Sequence, residues 1–157
     1  MKPNIGSSEK NINGVVALLN ELLSDEYVFY TKLRNYHWNV TGSDFSELHK
    51  FFEAQYEEVD DIIDDVAERS RSIGGHSIGT LQQFLKETQL KEFPGNYPDA
   101  KTMIRNLLSD HESIIQKLRK DLAVCAEKFS DMGTSDFLTG VMEQHEKMAW
   151  MMRSYLE

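Results

Sequence analysis

The sequence predicts an all-α fold, a four-helix bundle that carries a short extra helix between its second and third long helices. Three observations carry that expectation. Apolar residues recur at steps of three and four through four long segments, glycine, proline and polar breaks separate those segments, and no stretch alternates apolar and polar residues over a useful length. At 157 residues, 40% of them hydrophobic, the chain is sized for one domain spanning 1–157 with a short polar tail over 1–8. Such a domain buries a core without disulfides or a structural metal.

The first helix is expected from about Ser8 to Val40, with Ile12, Val15, Val16, Leu19, Leu22, Leu23, Tyr27, Tyr30 and Leu33 on one face. Val40-Thr41-Gly42-Ser43-Asp44 breaks it, and Ser43 is the expected N-cap of the next. The second helix repeats Phe45, Leu48, Phe52, Tyr56, Val59, Ile63 and Val66 and should stop before Gly74-Gly75. Between Gly75 and Pro98 only Leu81, Phe84 and Leu85 have helical spacing, which predicts a short helix inside a connection longer than a bundle turn needs. Pro98 suits the first turn of a third long helix that runs through Met103, Leu107, Ile114, Leu118 and Cys125 to near Phe129. Thr134 or Ser135 is expected to cap the last helix, whose face carries Leu138, Val141, Met142, Met148, Met152 and Tyr155.

Cys125 is the only cysteine, so no intrachain disulfide can form, and Met1 to Lys10 contain no apolar run of the signal-peptide kind; a reducing, cytoplasmic setting is expected. No apolar run is long enough for a bilayer of roughly 30 Å hydrocarbon thickness, so no membrane partner is expected. A formal net charge of -9 opposes DNA binding, which needs clustered lysine and arginine, and suits cations instead.

The second helix carries His49, Glu53, Asp60, Asp64 and Glu68 where a plain amphipathic helix needs no such residues. With His49 at zero, Glu53 lies near 40°, Asp64 near 60° and Glu68 near 100°, beside the apolar stripe. Carboxylate runs are usually a solvated flank, and Glu57, Glu58, Asp61 and Asp65 fit that description. His49 with Glu53, and Asp64 with Glu68, however, form two one-turn pairs on a similar side. The two pairs stand roughly 22 Å apart along a helix rising 1.5 Å per residue, so they cannot share an ion within one helix. If the helix packs antiparallel on a copy of itself across a two-fold axis, His49 faces Glu68 wherever Glu53 faces Asp64. Each subunit then completes the other's half-site, and the symmetry makes two equivalent centres.

His37 extends the first stripe by one turn beyond Leu33 and lies as far before the Gly42-Ser43 turn as His49 lies after it. The turn therefore sets the two imidazoles side by side. Two imidazoles with carboxylates suit a first-row divalent ion; the acidic set favours iron or manganese, and zinc fits the same donors.

The combination Tyr36-His37-Trp38-Asn39-Val40-Thr41-Gly42, Phe45, Leu48-His49, Glu53, Asp64, Glu68-Arg69 and the ending His145-Glu146-Lys147-Met148-Ala149-Trp150 resembles the Dps family of miniferritins over most of the chain. A bundle with one long crossover is also the ferritin-like arrangement. The resemblance implies a homo-oligomeric hollow shell of twelve subunits that oxidises Fe(II) with hydrogen peroxide or oxygen and stores ferric mineral inside. It implies metal ligands His37, His49 and Glu53 from one subunit, with Asp64 and Glu68 from its two-fold mate. The family commonly has Asp where Glu53 stands, which ranks Glu53 below the other four. Trp38 matches a tryptophan that takes up oxidising equivalents in similar proteins, and packing at a helix end explains it equally. Glu127, Asp131 and Asp136 resemble acidic residues of family iron-entry pores, with Met132 at a commonly acidic position.

None of the five histidines has Glu three residues before it, which argues against the Glu-x-x-His site of larger ferritins. His76, His111 and His145 have no carboxylate at a convincing spacing and are expected at the surface or in simple hydrogen bonds. Met142, Met148, Met151 and Met152 are expected to pack. The competing function is direct coating of DNA, for which a basic N-terminal arm would be needed; Lys2 and Lys10 are the only basic residues before residue 30. A bundle that has lost its metal chemistry is the third possibility.

Overall fold

A computed structural model describes residues 3–157, and Lys2 therefore lies outside the described residues. Five helices follow in order: α1 (Glu9–Asn39), α2 (Phe45–Ser72), α3 (Leu81–Glu87), α4 (Ala100–Glu127) and α5 (Met132–Leu156). Among the described residues there is no strand. α1 pairs with α2 and α4 with α5, while α3 lies on α1. No helix is long and apolar enough to cross a membrane.

The connection from α2 to α4 is long for a geometric reason. Lys32 on α1 pairs with Asp110 on α4, and Lys117 on α4 with Glu21 on α1, so these helices run antiparallel. The tight turn at 40–44 also makes α1 and α2 antiparallel. Consequently α2 and α4 run parallel, and the chain must travel back the length of a 28-residue helix, about 42 Å, before α4 can begin. Asp25 tethers this return: its Oδ1 accepts from the Thr88 hydroxyl at 2.8 Å and from the Gln89 amide at 2.7 Å.

Three helix starts differ from the sequence expectation, because the residue that caps is the one whose oxygen reaches a free amide. Ser43 does not cap α2; its hydroxyl turns to Asp44 Oδ1 at 3.2 Å, and Asp44, at the N-cap, makes no side-chain cap bond. Pro98 precedes α4 instead of opening it, since Asp99 caps by accepting from the Thr102 amide at 2.9 Å. Thr134 and Ser135 lie inside α5. Asp131 caps that helix, accepting from the Thr134 amide at 2.8 Å, so α5 begins at Met132. The short α3 has a full capping box between Thr80 and Gln83, which explains why seven residues hold a helix there.

The core runs the length of the bundle through Leu19, Leu22, Phe29, Leu33, Phe52, Val59, Ile62, Leu107, Ile114, Leu118, Leu138 and Met148. Gly14 lets α1 approach the end of α4, since a Cβ there would stand 2.4 Å from the Phe129 ring. Gly74 ends the α2 region with φ +98, a conformation that side chains other than glycine rarely adopt.

Candidate metal centre

The turn between α1 and α2 brings His37 and His49 face to face, their rings stacked with centroids 3.7 Å apart and planes 21° from parallel. Each holds the other's backbone. His37 Nδ1 lies 2.7 Å from the His49 carbonyl, and His49 Nδ1 lies 2.9 Å from the His37 carbonyl. A carbonyl oxygen can only accept, so both rings donate from Nδ1, and in the neutral imidazole the lone pair then sits on Nε2. Locking the far nitrogen onto a backbone carbonyl is how metal-ligating histidines are oriented. His37 is buried and His49 half-buried, so the pair forms at the edge of the core.

Glu53, one turn beyond His49, is half-buried and accepts a long hydrogen bond of 3.4 Å from the Tyr56 hydroxyl. Tyr56 in turn sets its ring edge-on to His37 at 5.3 Å. Burial raises the Tyr56 hydroxyl above its ordinary pKa, and the neighbouring Glu53 carboxylate adds to the effect. The Arg34 guanidinium lies over the Tyr56 ring at 4.6 Å and the Trp38 ring at 5.2 Å. Trp38 itself is 64% exposed.

Asp64 and Glu68 are exposed and lie farther along α2, at the helix distance expected from their numbering. One chain therefore brings together His37, His49 and Glu53 and leaves Asp64 and Glu68 apart from them. Among the described residues, no three His, Cys, Asp or Glu side chains of the chain converge to hold one ion. Of the three acidic residues near the α4 to α5 turn, Asp131 is committed within the chain: it caps α5, and its Oδ1 meets Arg69 Nη2 at 3.3 Å. Cys125 is buried and its thiol is pushed up to about 11, first by burial and then by Asp131 and Asp121, so it offers no thiolate ligand at neutral pH.

His111 and His145 take the hydrogen-bonded alternative and not the surface one, with a carboxylate partner that their spacing did not suggest. Both are fully buried, they bond to each other, and His145 meets Glu26, a carboxylate 119 residues away in the chain. A signal for this existed: Glu26, His111 and His145 each fall in phase with the apolar stripe of their helix, between Leu22 and Leu33, Leu107 and Ile114, and Val141 and Met148. Arg34 and Tyr56, as neighbours of the histidine pair, had no such signal.

A ferritin-like domain model matches residues 16–157. A DNA protection during starvation protein of Bacillus anthracis is 36% identical over 143 residues, covering 90% of this chain and 96% of that protein. The chain belongs to the Dps family of miniferritins. An uncharacterized low temperature-induced protein of Nostoc is 45% identical over 154 residues, 98% of this chain and 86% of its own length. Among solved structures, the Dps protein of Vibrio cholerae O1, described as one of the ferritin-like diiron-carboxylate proteins, superposes with a TM-score of 0.92 at 30% identity, covering 100% of this chain and 98% of that one. The Dps family is one of iron binding, with general roles in iron storage or DNA protection.

Proposed function

We propose that this Dps protein oxidises Fe(II) with hydrogen peroxide or oxygen at sites shared between two copies, and keeps the ferric product inside a hollow homo-oligomer, a dodecamer. Protection against oxidative damage follows. Each ferrous ion gives one electron and hydrogen peroxide takes two, so paired oxidation consumes peroxide without releasing a hydroxyl radical. Iron is the substrate, and two ions can be held per centre.

The observation that carries this function is the reciprocal hydrogen bonding of His37 and His49, which leaves both Nε2 lone pairs free for a ferrous ion. His37, His49 and Glu53 supply one half of each centre. Asp64 and Glu68 of a two-fold mate supply the other, because the same antiparallel register that sets His49 against Glu68 sets Glu53 against Asp64. The anionic carboxylates favour the ferric product over the ferrous substrate. Glu53 also accepts from Tyr56, which steadies the one carboxylate whose extra methylene gives it most freedom. Trp38, beside Arg34 at the rim, is placed to give up an electron when a centre holds a single iron.

DNA protection then acts through iron and peroxide, not through coating. The chain has 17 Lys and Arg against 26 Asp and Glu, and phosphate backbones require the opposite balance. A salt-dependent gel shift should show no tight complex at moderate salt. The decisive experiment adds Fe(II) anaerobically, then peroxide or oxygen. His37→Ala and Asp64→Ala should each suppress oxidation, and rates equal to the unaltered protein would overturn the ferroxidase function. Mixed shells of His49→Ala and Glu68→Ala subunits should regain one intact centre per heterodimer; inactivity across all mixtures would overturn the shared site.

A further inference from the structure

The bundle interior holds a second group of metal-capable side chains that the shared centre does not use. Glu26 on α1, His111 on α4 and His145 on α5 have no solvent exposure. His145 stands between the other two, its Nε2 2.8 Å from Glu26 Oε1 and its Nδ1 2.8 Å from His111 Nδ1. The Phe29 ring meets the His111 imidazole edge-on at 4.4 Å, so one wall is hydrocarbon. Glu26 Oε2 and His111 Nε2 are buried with no hydrogen-bond partner among the described residues.

Proton counting shows what the group lacks. With Glu26 ionised and His145 neutral, the carboxylate only accepts, so His145 carries its single hydrogen on Nε2 and leaves Nδ1 bare. The contact between the two Nδ1 atoms then needs the hydrogen on His111 Nδ1, which leaves His111 Nε2 bare. Burial holds His111 well below its ordinary pKa, as a neutral base, and His145 and Arg153 add to the effect. In that state the group bears one negative charge and two unused acceptor atoms, and no lysine or arginine among the described residues is hydrogen-bonded to it. A carboxylate buried in that state calls for a cation.

We propose that Glu26, His111 and His145 form a second metal site, contained within one subunit, that takes one divalent first-row transition ion per chain. Two imidazoles and a carboxylate suit zinc, cobalt, ferrous iron or manganese, and disfavour calcium and magnesium, which take oxygen ligands. In the metal-free chain the three donors form a line, with a proton on the edge between the imidazoles. The ion enters between the imidazoles, the His111 hydrogen moves from Nδ1 to the bare Nε2 so that both rings stay neutral, and Glu26 closes on the ion as His145 turns. Facing helices of a bundle build metal sites in this way, and here the ion would clamp α1 to the α4 and α5 pair.

The test uses the full chain carrying His37→Ala and Asp64→Ala, which disables the shared centre and leaves the core untouched. Titration with Co(II), followed by its visible absorption and by calorimetry, should give one saturable equivalent per chain and a rise in Tm. Adding Glu26→Gln or His145→Gln should abolish both. No saturable Co(II) in the His37→Ala, Asp64→Ala protein would show that the core holds a proton only and would overturn the proposal, whether or not the core variants fold. Undiminished binding in a folded Glu26→Gln variant would overturn it as well. Iron oxidation plays no part in either readout, so the outcome is separate from that of the ferroxidase function.

Discussion

The two histidine pairs of this protein are opposites in construction. His37 and His49 stack at the rim, each bonded to the other's carbonyl, with Glu53 half-buried beside them and Asp64 and Glu68 exposed at the far end of α2. His111 and His145 lie in the dry centre, bonded to each other and to a carboxylate with no exposure. The rim pair spends its Nδ1 hydrogens on backbone and keeps lone pairs for an incoming ligand. The core pair spends three of its four ring nitrogens within its own cluster and leaves His111 Nε2 without a partner among the described residues. The difference teaches that burial alone does not make a binding site: in the proposed shared centre the rim functions only with a second molecule, and the core must keep its own charge account in a medium that penalises error.

The largest expected effect separates the two regions by readout. His37→Ala or Asp64→Ala should lower peroxide-dependent Fe(II) oxidation by more than about tenfold, measured by stopped-flow absorbance, while Tm changes little for the exposed Asp64. Glu26→Ala should do the reverse to the chain's stability, costing on the order of 1–3 kcal/mol in denaturant melts because it leaves the buried His145 Nε2–H without its acceptor. If Glu26→Ala is neutral, the core cluster is not a coupled unit.

A pH series sharpens the contrast further. His111 binds its proton less readily folded than unfolded, so the unfolded chain holds more protons as pH falls below the ordinary histidine value near 6.5. Its contribution is complete above that value, and stability should fall with acidification by up to about 1.4 kcal/mol per pH unit. Replacing His111 with Gln should flatten that limb of a urea-midpoint curve against pH; an unchanged slope would assign the acid sensitivity elsewhere. The smallest effect belongs to Trp38→Phe. It should leave the initial rate of Fe(II) loss unchanged while removing the tryptophan oxidation products of the peptide that spans position 38 from mass spectra, because the ring is exposed and the Arg34 guanidinium lies over it.

The four long helices, the short α3 and the pairing of His37 with His49 were legible because periodicity and one tight turn set them directly. Cap positions were less legible. Ser43 and Asp44 compete for one helix start, and which oxygen reaches an amide depends on dihedrals that composition does not specify. The core cluster was the least legible part, since Glu26 meets His145 across 119 residues and only the bundle brings them together. Its trace was polar residues sitting in phase with apolar stripes, a pattern that pairs no partners until helix order is known. Asp64 and Glu68 show the opposite limit: their numbering relates them to His49 and Glu53 more clearly than one folded chain does.

In the proposed shared centre, placing the two halves at opposite ends of α2 also orders events in time. A newly made subunit, with His37, His49 and Glu53 in position but no facing carboxylates, would be chemically silent toward ferrous iron until it meets a mate. Container and catalyst would then mature in a single act, and ferric ions would first be produced where there is already a wall to confine them.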